Sequence, residues 1–158
     1  MDLPLTSAAV PLPDDPLAAN RAWWEAAARL HRGAQQGYYD PAPRVAGQSD
    51  LTAHEEQALA RALPEGPPGK DVLHLQCHLA LDGIRLARRG ARVTGLDFSE
   101  EALRGAAELA ARCGVELALV QAEATALPPD LAGRFDLVWA TIGVITWHAD
   151  LVAWMAAA

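Results

Sequence analysis

Lysine is almost absent from this sequence of 158 residues, which has 13 basic and 20 acidic side chains and a formal net charge of -7. Lys70 is the only lysine, and the arginines are scattered along the chain. A protein that binds nucleic acid through its phosphates needs clustered Lys and Arg side chains. These features argue against a nucleic-acid partner.

The sequence also lacks a disulfide framework and a long apolar run. Cys77 and Cys113 lie in a predicted strand and near a predicted helix end, which favours reduced, partly buried thiols. Residues 1–15 have no basic region and are broken by prolines, so they predict a flexible lead-in rather than an export signal. No later stretch reaches the uncharged apolar length that crosses a bilayer. We expect a cytoplasmic protein without a membrane partner.

Residues 16–69 predict an N-terminal helical region. Asp15 can cap a first helix that has Pro16 at its first position and that the periodicity carries to residue 36. After a segment broken by Gly and Pro, Thr52 and Glu55 have the spacing of a capping box at the start of another helix.

From residue 70 onward, short apolar runs alternate with helical windows, which is typical of a parallel sheet. The predicted strands cover residues 71–77, 91–98, 115–122 and 135–144, and the last predicted helix starts near residue 148. Ser99 can cap the helix after the second strand, and Gly114 can end it. We predict an α/β fold, a Rossmann-like three-layer sandwich with four parallel strands and N-terminal helices.

Polar residues follow the ends of these strands, where doubly wound sheets bind ligands. Asp97 closes the second strand about twenty residues after the first loop, and a carboxylate there can accept bonds from both hydroxyls of a ribose. Glu123 and Ala124 follow the third strand, and residues 141–147 follow the fourth. The alternatives are that Asp97 caps a turn and that Glu123 is a solvated loop acid.

Four segments between residues 71 and 147 resemble class I S-adenosylmethionine-dependent methyltransferases. VLHLQCHLA is similar to V-L-D-L-G-C-G-x-G, GLDFSEEAL to G-x-D-x-S-x-x-x-L, QAEATALP to G-D-A-x-x-L-P, and FDLVWATIGV to an F-D-x-V strand. A subgroup with L-H-L-Q-C-H-F-G-L-D, an N-R-x-x-W segment and an aromatic-Tyr-Asp turn is more similar still, since residues 20–24 and 38–40 match it. The resemblance therefore covers most of the chain.

The resemblance implies S-adenosylmethionine as cofactor and gives roles to the residues at the strand ends. Asp97 would hold the ribose hydroxyls, and Phe98 would pack beside adenine. Glu123 and the amide of Ala124 would meet the adenine edge, and Thr141 would lie near the sulfonium. The N-terminal region, residues 16–69 with Tyr38 and Tyr39 among them, would form a lid over the cofactor.

The first loop departs from the glycine pattern of the superfamily. Gln76, Cys77, His78 and Ala80 would line the methionine part of the cofactor, and Gln76 and His78 match the subgroup at two positions that are glycine elsewhere. Ala80 departs even from the subgroup. An alanine in a left-handed conformation costs on the order of 1 kcal/mol, so we expect weakened rather than abolished binding.

The acceptor side is less defined by the sequence. We expect a small-molecule acceptor, with His148 as a candidate general base whose alternative role is an ordinary surface or capping residue. His74, Cys77 and His78 also suggest zinc. On a strand, however, the two histidines would share one face and Cys77 would lie on the other, so we predict no metal site.

Residues 70–158 are expected to form a truncated cofactor-binding domain, because a complete fold of this type has seven strands. The fourth strand would then have an open edge that favours self-association. The second reading is therefore a non-catalytic remnant that binds cofactor or a partner through this edge. A nicotinamide-binding domain is a third reading, which the missing glycines of the first loop disfavour.

Overall fold

The computed structural model describes residues 14–48, 50–141 and 143–158, so nearly all of the expected lead-in lies outside the described residues. The helices are α1 (Pro16–Arg32), α2 (Ala42–Val45), α3 (Ala53–Ala62), α4 (Leu81–Arg88), α5 (Glu100–Arg112) and α6 (Leu151–Ala157). The strands are β1 (Asp71–Leu75), β2 (Arg92–Asp97), β3 (Ala118–Gln121) and β4 (Leu137–Ala140). No helix in the described part of the chain has the length and apolar character that a bilayer crossing requires.

Side-chain caps start the N-terminal helices where the sequence predicts them. The Asp15 carboxylate accepts a hydrogen bond from the backbone N–H of Ala18 at 2.9 Å, directly before α1. Thr52 and Glu55 form the predicted capping box of α3. Because these caps involve residues only three positions apart, local sequence is sufficient to specify them.

The strands form one parallel sheet in the order β3-β2-β1-β4. The chain adds β2 and β3 outward on one side of β1 and then returns to place β4 on the other side. Strand order therefore reverses between β1 and β4, which is where doubly wound folds bind ligands. The predicted Rossmann-like class is confirmed.

Helices cover both faces of the sheet. Val72 and Trp139 pack with residues of α3 and α4 on one face. Leu73 and Leu75 pack with Trp154 of α6 on the other. Because β1 is the central strand and is buried on both faces, it is an apolar run with only His74 as an internal polar residue.

The fourth strand is shorter and more exposed than the sequence predicts. It ends at Ala140 instead of residue 144, and the chain then turns through Gly143, whose φ is 92°, into a 3-10 turn at Val144–Trp147. Val138 is only partly buried and Ala140 is exposed. β4 lies at an edge of the described sheet, as the sequence predicts, and none of the described strands pairs with its outer side.

Helix α1 packs against α5 and so lies beside the carboxyl end of β2. Gly105 permits the close approach, since a Cβ atom at this position would lie 2.7 Å from Cγ of Arg32. The Arg32 guanidinium pairs with Glu101 and Glu108, each at 2.8 Å. Glu25 accepts hydrogen bonds from the first two backbone N–H groups of α5, at 2.8 and 3.2 Å. A carboxylate at a helix N-terminus is favoured by the helix dipole.

Candidate functional site

A cavity of about 320 Å³ lies at the carboxyl ends of β1, β2 and β4. Its walls come from two parts of the chain, the N-terminal helical region and the loops that follow the strands. The lining residues are Trp24, Tyr38, Tyr39, Thr52, Glu55, Gln76, His78, Asp97, Phe98, Thr141, Gly143, Val144 and Trp147. Aromatic rings form much of the wall, and the buried polar groups lie on the strand-loop side.

The loop between β1 and α4 has a glycine-like backbone without any glycine. Gln76, His78 and Ala80 have φ values of 54°, 49° and 52°, in the left-handed region. The backbone N–H of Cys77 donates to the carbonyl of Leu96 in β2, at 2.9 Å. The left-handed conformation considered for Ala80 from the sequence is therefore present, and Gln76 and His78 adopt it as well.

Asp97, the last residue of β2, is bound to this loop. One carboxylate oxygen accepts the backbone N–H of His78 at 2.8 Å, and the other accepts the backbone N–H of Ser99 at 2.9 Å. Burial raises the pKa of the Asp97 carboxyl, although both amides favour its charged form. The side chain is 8% exposed and lines the cavity. Asp97 thus has the turn-capping role of the alternative reading and also lines the cavity, whereas its role toward a ribose stays a prediction.

Gln76 joins the loop to the C-terminal segment. Its Oε1 lies 2.8 Å from Nε1 of Trp154 and 3.0 Å from Nε2 of His148. Because an indole N–H can only donate, the Gln76 atom beside it must be the carbonyl oxygen. His148 Nε2 therefore carries a proton and also donates. The Gln76 amide nitrogen takes no part in these two contacts, and Gln76 lines the cavity.

His78 joins the loop to the N-terminal region. Its Nε2 lies 2.9 Å from Nδ1 of His31 in α1. The His31 ring stacks on Tyr39, with centroids 3.8 Å apart, and Trp24 packs edge-on against His78 at 5.1 Å. Burial, followed by the charge of His31, lowers the pKa of His78 to about 4. Both rings are therefore neutral near pH 7.

Helix α1 and the 3-10 turn that follows β4 also contact each other. The Asn20 amide donates to the carbonyl of Trp147 at 3.1 Å. The rings of Trp23 and Trp147 stack with centroids 5.1 Å apart, and Trp24 meets Trp147 edge-on at the same distance. Trp24 and Trp147 both line the cavity, so these contacts form part of its wall.

Five of the residues predicted from the sequence line the cavity: Gln76, His78, Asp97, Phe98 and Thr141. Arg21 of α1 lies over the Phe98 ring, with its guanidinium carbon 5.6 Å from the ring centroid. The carboxyl ends of parallel strands lie at one edge of the sheet, and this is why residues that follow different strands line the same cavity.

The side chains of two predicted loop residues point away from the cavity. Cys77 and Ala80 are buried in a cluster with Leu103 and Ala106 of α5. Burial raises the pKa of the Cys77 thiol well above its usual value. Contact of either residue with a ligand would have to use the backbone.

The predicted residues after β3 lie outside the cavity lining. Ala124 is buried in the core cluster that contains Leu75 and Trp154. One carboxylate oxygen of Glu123 is buried and has no hydrogen-bond partner within the described part of the chain. Glu123 is near enough to Asp97 and His148 for its charge to raise the pKa of each. A buried acceptor without a protein donor is one that a water molecule or a ligand N–H could satisfy.

His148 does not line the cavity, and its proton on Nε2 is committed to Gln76. Burial lowers its pKa, although the charge of Glu123 opposes the change. Only Nδ1 could accept a proton, and the residue therefore fits a structural role better than that of the predicted base.

The histidines considered for zinc have separate partners. His74 Nδ1 accepts the backbone N–H of Gly83 at 3.2 Å, and burial lowers the pKa of His74 to about 3. His78 instead contacts His31. His78 does not lie on a strand, because β1 ends at Leu75 and His78 has a left-handed backbone. The alternation of strand faces that the sequence predicts for His74, Cys77 and His78 is therefore absent.

Sequence reasoning did not identify His31, Trp24 and Trp154 as members of the site. It also interpreted Thr52 and Glu55 only as a helix cap, although both line the cavity. The available signal was an aromatic-rich N-terminal helix that needed a partner surface. The spacing of its residues does not identify that surface.

A family model for a methyltransferase domain matches residues 72–158, which is more than half of the chain. The chain belongs to this methyltransferase family. The match contains the whole described sheet except the first residue of β1, whereas α1, α2 and α3 precede it.

The chain is also similar to curated proteins whose names state no function. Uncharacterized proteins of Mycobacterium tuberculosis and Mycobacterium bovis are 48% identical to this chain over 105 residues, which is 61% of this chain and 37% of each relative. The chain therefore spans a little over a third of the length of these relatives.

Solved structures confirm the fold. Magnesium protoporphyrin IX methyltransferase from Synechocystis PCC 6803 with bound SAH superposes with a TM-score of 0.64 at 18% identity, covering 90% of this chain and 66% of that one. A putative S-adenosyl-L-methionine-dependent methyltransferase from Methanococcus maripaludis gives 0.64 at 15% identity, with 84% and 56% covered. A third structure, from work on the conversion of a disulfide bond into a thioacetal group during echinomycin biosynthesis, superposes with a TM-score of 0.54 at 31% identity. That match covers 63% of this chain and 43% of the other. The predicted resemblance to class I methyltransferases is confirmed, and the narrower subgroup stays a prediction.

Proposed function

We propose that this chain binds S-adenosylmethionine in the cavity and forms the cofactor-binding part of a methyltransferase. The position of Asp97 carries the proposal: a buried carboxylate at the end of β2, in the cavity wall, beside the reversal of strand order. Each of its oxygens accepts one backbone amide and keeps a second acceptor position. Those positions suit the two hydroxyls of a ribose.

The remaining residues fit the other parts of this cofactor. Phe98 supplies an apolar face for adenine, and the unpartnered oxygen of Glu123 with the amide of Ala124 suits the adenine edge. Gln76 presents its amide N–H groups toward the methionine part. Thr141, at the end of β4, lies on the side proposed for the sulfonium.

The cofactor, when bound, supplies a methyl group on a positively charged sulfur that a nucleophile can attack directly. The residues of this chain would hold that sulfur and exclude water with the aromatic wall of Trp24, Tyr39 and Trp147. The histidine nearest the strand-four loop, His148, is a weakened base. We therefore expect an acceptor that attacks without losing a proton first. We propose that this acceptor is a small molecule.

Isothermal titration with S-adenosylhomocysteine and, separately, with NAD tests the assignment. We expect binding of S-adenosylhomocysteine and none of NAD, because the 76–80 loop has no glycine to let a pyrophosphate approach its backbone. Binding of NAD alone would overturn the methyltransferase assignment in favour of the nicotinamide reading.

A second candidate function is a non-catalytic module that binds a partner, or a second copy of itself, through the sheet edge. Two observations favour it: none of the described strands pairs with the outer side of β4, and Val152 and Met155 of α6 are 80% and 67% exposed. Sedimentation velocity tests self-association. A compact monomer at high concentration would contradict it, and turnover of any acceptor by the chain alone would contradict the non-catalytic role.

A further inference from the structure

The 76–80 loop contains a repeated conformational cost. Gln76, His78 and Ala80, at alternate positions, each have a positive φ. An L-residue in this region costs roughly 1–2 kcal/mol, whereas glycine adopts it freely. The side chains at these positions must therefore make contacts that offset the cost, and the three positions can be compared with one another.

The side chain of His78 contacts α1, which we call the N-terminal cover of the cavity. Its contact with His31 joins residues that are 47 positions apart, and His31 is in turn stacked on Tyr39. The other contacts of α1 described above are to α5 and to the strand-four loop. His78 thus links α1 to the loop.

The side chain of Gln76 contacts residues 143–158, which we call the C-terminal cover of the cavity. It accepts hydrogen bonds from Trp154 of α6 and from His148, which follows the 3-10 turn. Trp154 is 7% exposed, so its indole N–H would be left without an acceptor in a buried position if Gln76 were removed.

We propose that Gln76 and His78 are positioning residues that fasten the two covers of the cavity to the 76–80 loop, His78 holding α1 and Gln76 holding residues 143–158. Closure over a ligand and the conformation of the loop are then coupled, since each fastening side chain belongs to the loop. The inference rests on the proposed function only for the nature of the ligand. The fastening exists in the free protein and can be measured there.

Ala80 provides a matched control within the same loop. It has the same left-handed conformation as the other two residues, but its methyl group is buried against Cys77 and α5 and reaches neither cover. Replacing it by glycine removes the conformational cost and no fastening contact.

Hydrogen exchange of the ligand-free protein, read by segment, tests the proposal in Gln76→Gly, His78→Gly and Ala80→Gly. We expect His78→Gly to accelerate exchange in α1 about tenfold and in residues 143–158 by a smaller factor, because Trp147 also contacts α1. The opposite pattern is expected for Gln76→Gly. Ala80→Gly should leave both segments unchanged or slower. Unchanged exchange in the first two variants, or the same pattern in all three, would overturn the proposal.

Two further variants separate fastening from a general packing effect. Trp154→Phe keeps a smaller aromatic ring, removes the indole donor and leaves the contact between Gln76 and His148, so it should accelerate exchange in residues 143–158 as Gln76→Gly does but by a smaller factor, and the effects of the two changes should not add in the double variant. Gln76→Glu keeps an oxygen that accepts from both donors, so residues 143–158 should remain within twofold of the parent. Additive effects in the double variant, or glycine-like exchange in Gln76→Glu, would refute the role of the hydrogen bonds.

Affinity for S-adenosylhomocysteine completes the test. We expect both fastening variants to weaken it about fivefold, with no such loss in Ala80→Gly. If the parent binds no S-adenosylhomocysteine, the proposed function fails while the exchange patterns still decide the fastening. If the parent binds and the fastening variants bind equally well, closure does not depend on these residues.

Discussion

Replacement of Asp97 by alanine should weaken both cofactor binding and the fold, because this carboxylate serves the two at once. In the free protein it accepts the backbone N–H groups of His78 and Ser99. A buried donor left without an acceptor costs about 1–3 kcal/mol. Part of this cost is offset, since burial of the carboxylate is itself unfavourable, as its raised pKa indicates. We therefore expect Asp97→Ala to lower the free energy of unfolding by about 2–4 kcal/mol.

The loss of affinity should be larger than the loss of a single contact. Two hydrogen bonds from ribose hydroxyls to one carboxylate are worth roughly 1.5–3 kcal/mol each at most, and they are not additive. A combined loss of about 3 kcal/mol corresponds to a dissociation constant about 100-fold higher. Asp97→Asn keeps one acceptor oxygen but turns an amide N–H₂ toward a backbone N–H, so it should lose similar affinity and less stability.

Urea denaturation followed by circular dichroism measures the stability, and isothermal titration with S-adenosylhomocysteine measures the affinity. Asp71→Asn is the matched control, since it changes a carboxylate at the opposite end of the same sheet that pairs with Arg92 on the surface. It should leave the affinity unchanged. If Asp97→Ala remained folded and bound S-adenosylhomocysteine as tightly as the parent, Asp97 would have only its structural role and the ribose position would be wrong.

Three further predictions follow from backbone strain, ionisation and packing. Ala80→Gly relieves a left-handed conformation that costs about 1 kcal/mol but also removes a buried methyl group worth about 0.8 kcal/mol, so urea denaturation should give a nearly unchanged free energy of unfolding; a loss of about 1 kcal/mol would show no strain there. His74 and His78, with pKa values lowered to about 3 and 4, are neutral in the folded chain, so the unfolded chain binds their protons first as the pH falls below 6.5. Stability should then fall by about 2 kcal/mol per histidine between pH 7 and 5, and the fall should be smaller by that amount in His78→Gly. Gly105→Ala should displace Arg32 and accelerate hydrogen exchange in α1, although alanine favours a helix; unchanged exchange would mean that α1 adjusts without loosening.

The elements predicted well are those that local chemistry determines. The caps at Asp15, Thr52 and Ser99 occur where the sequence places them, because each satisfies N–H groups two or three residues away. The length of the fourth strand was predicted wrongly, because an apolar run does not reveal where Gly143 turns the chain.

The site was predictable as far as the strand ends determine it. Asp97, Phe98 and Thr141 lie in the cavity because parallel strands bring their carboxyl ends together. The contacts that cover the cavity were not predictable in this way. Gln76 bonds Trp154 from 78 residues away, and neither residue type announces such a partner in a single sequence.

The absence of glycine from the 76–80 loop changes what maintains its shape. In a glycine loop the backbone itself allows the left-handed positions, and the loop can be formed before anything covers it. Here the same conformation is held by a side chain that accepts from α6, by a second that contacts α1, and by an alanine buried against α5. The backbone amide of His78 meanwhile binds Asp97. The shape of the proposed cofactor site therefore depends on the covers being in place, and loosening either cover should disturb the ribose carboxylate as well as the enclosure.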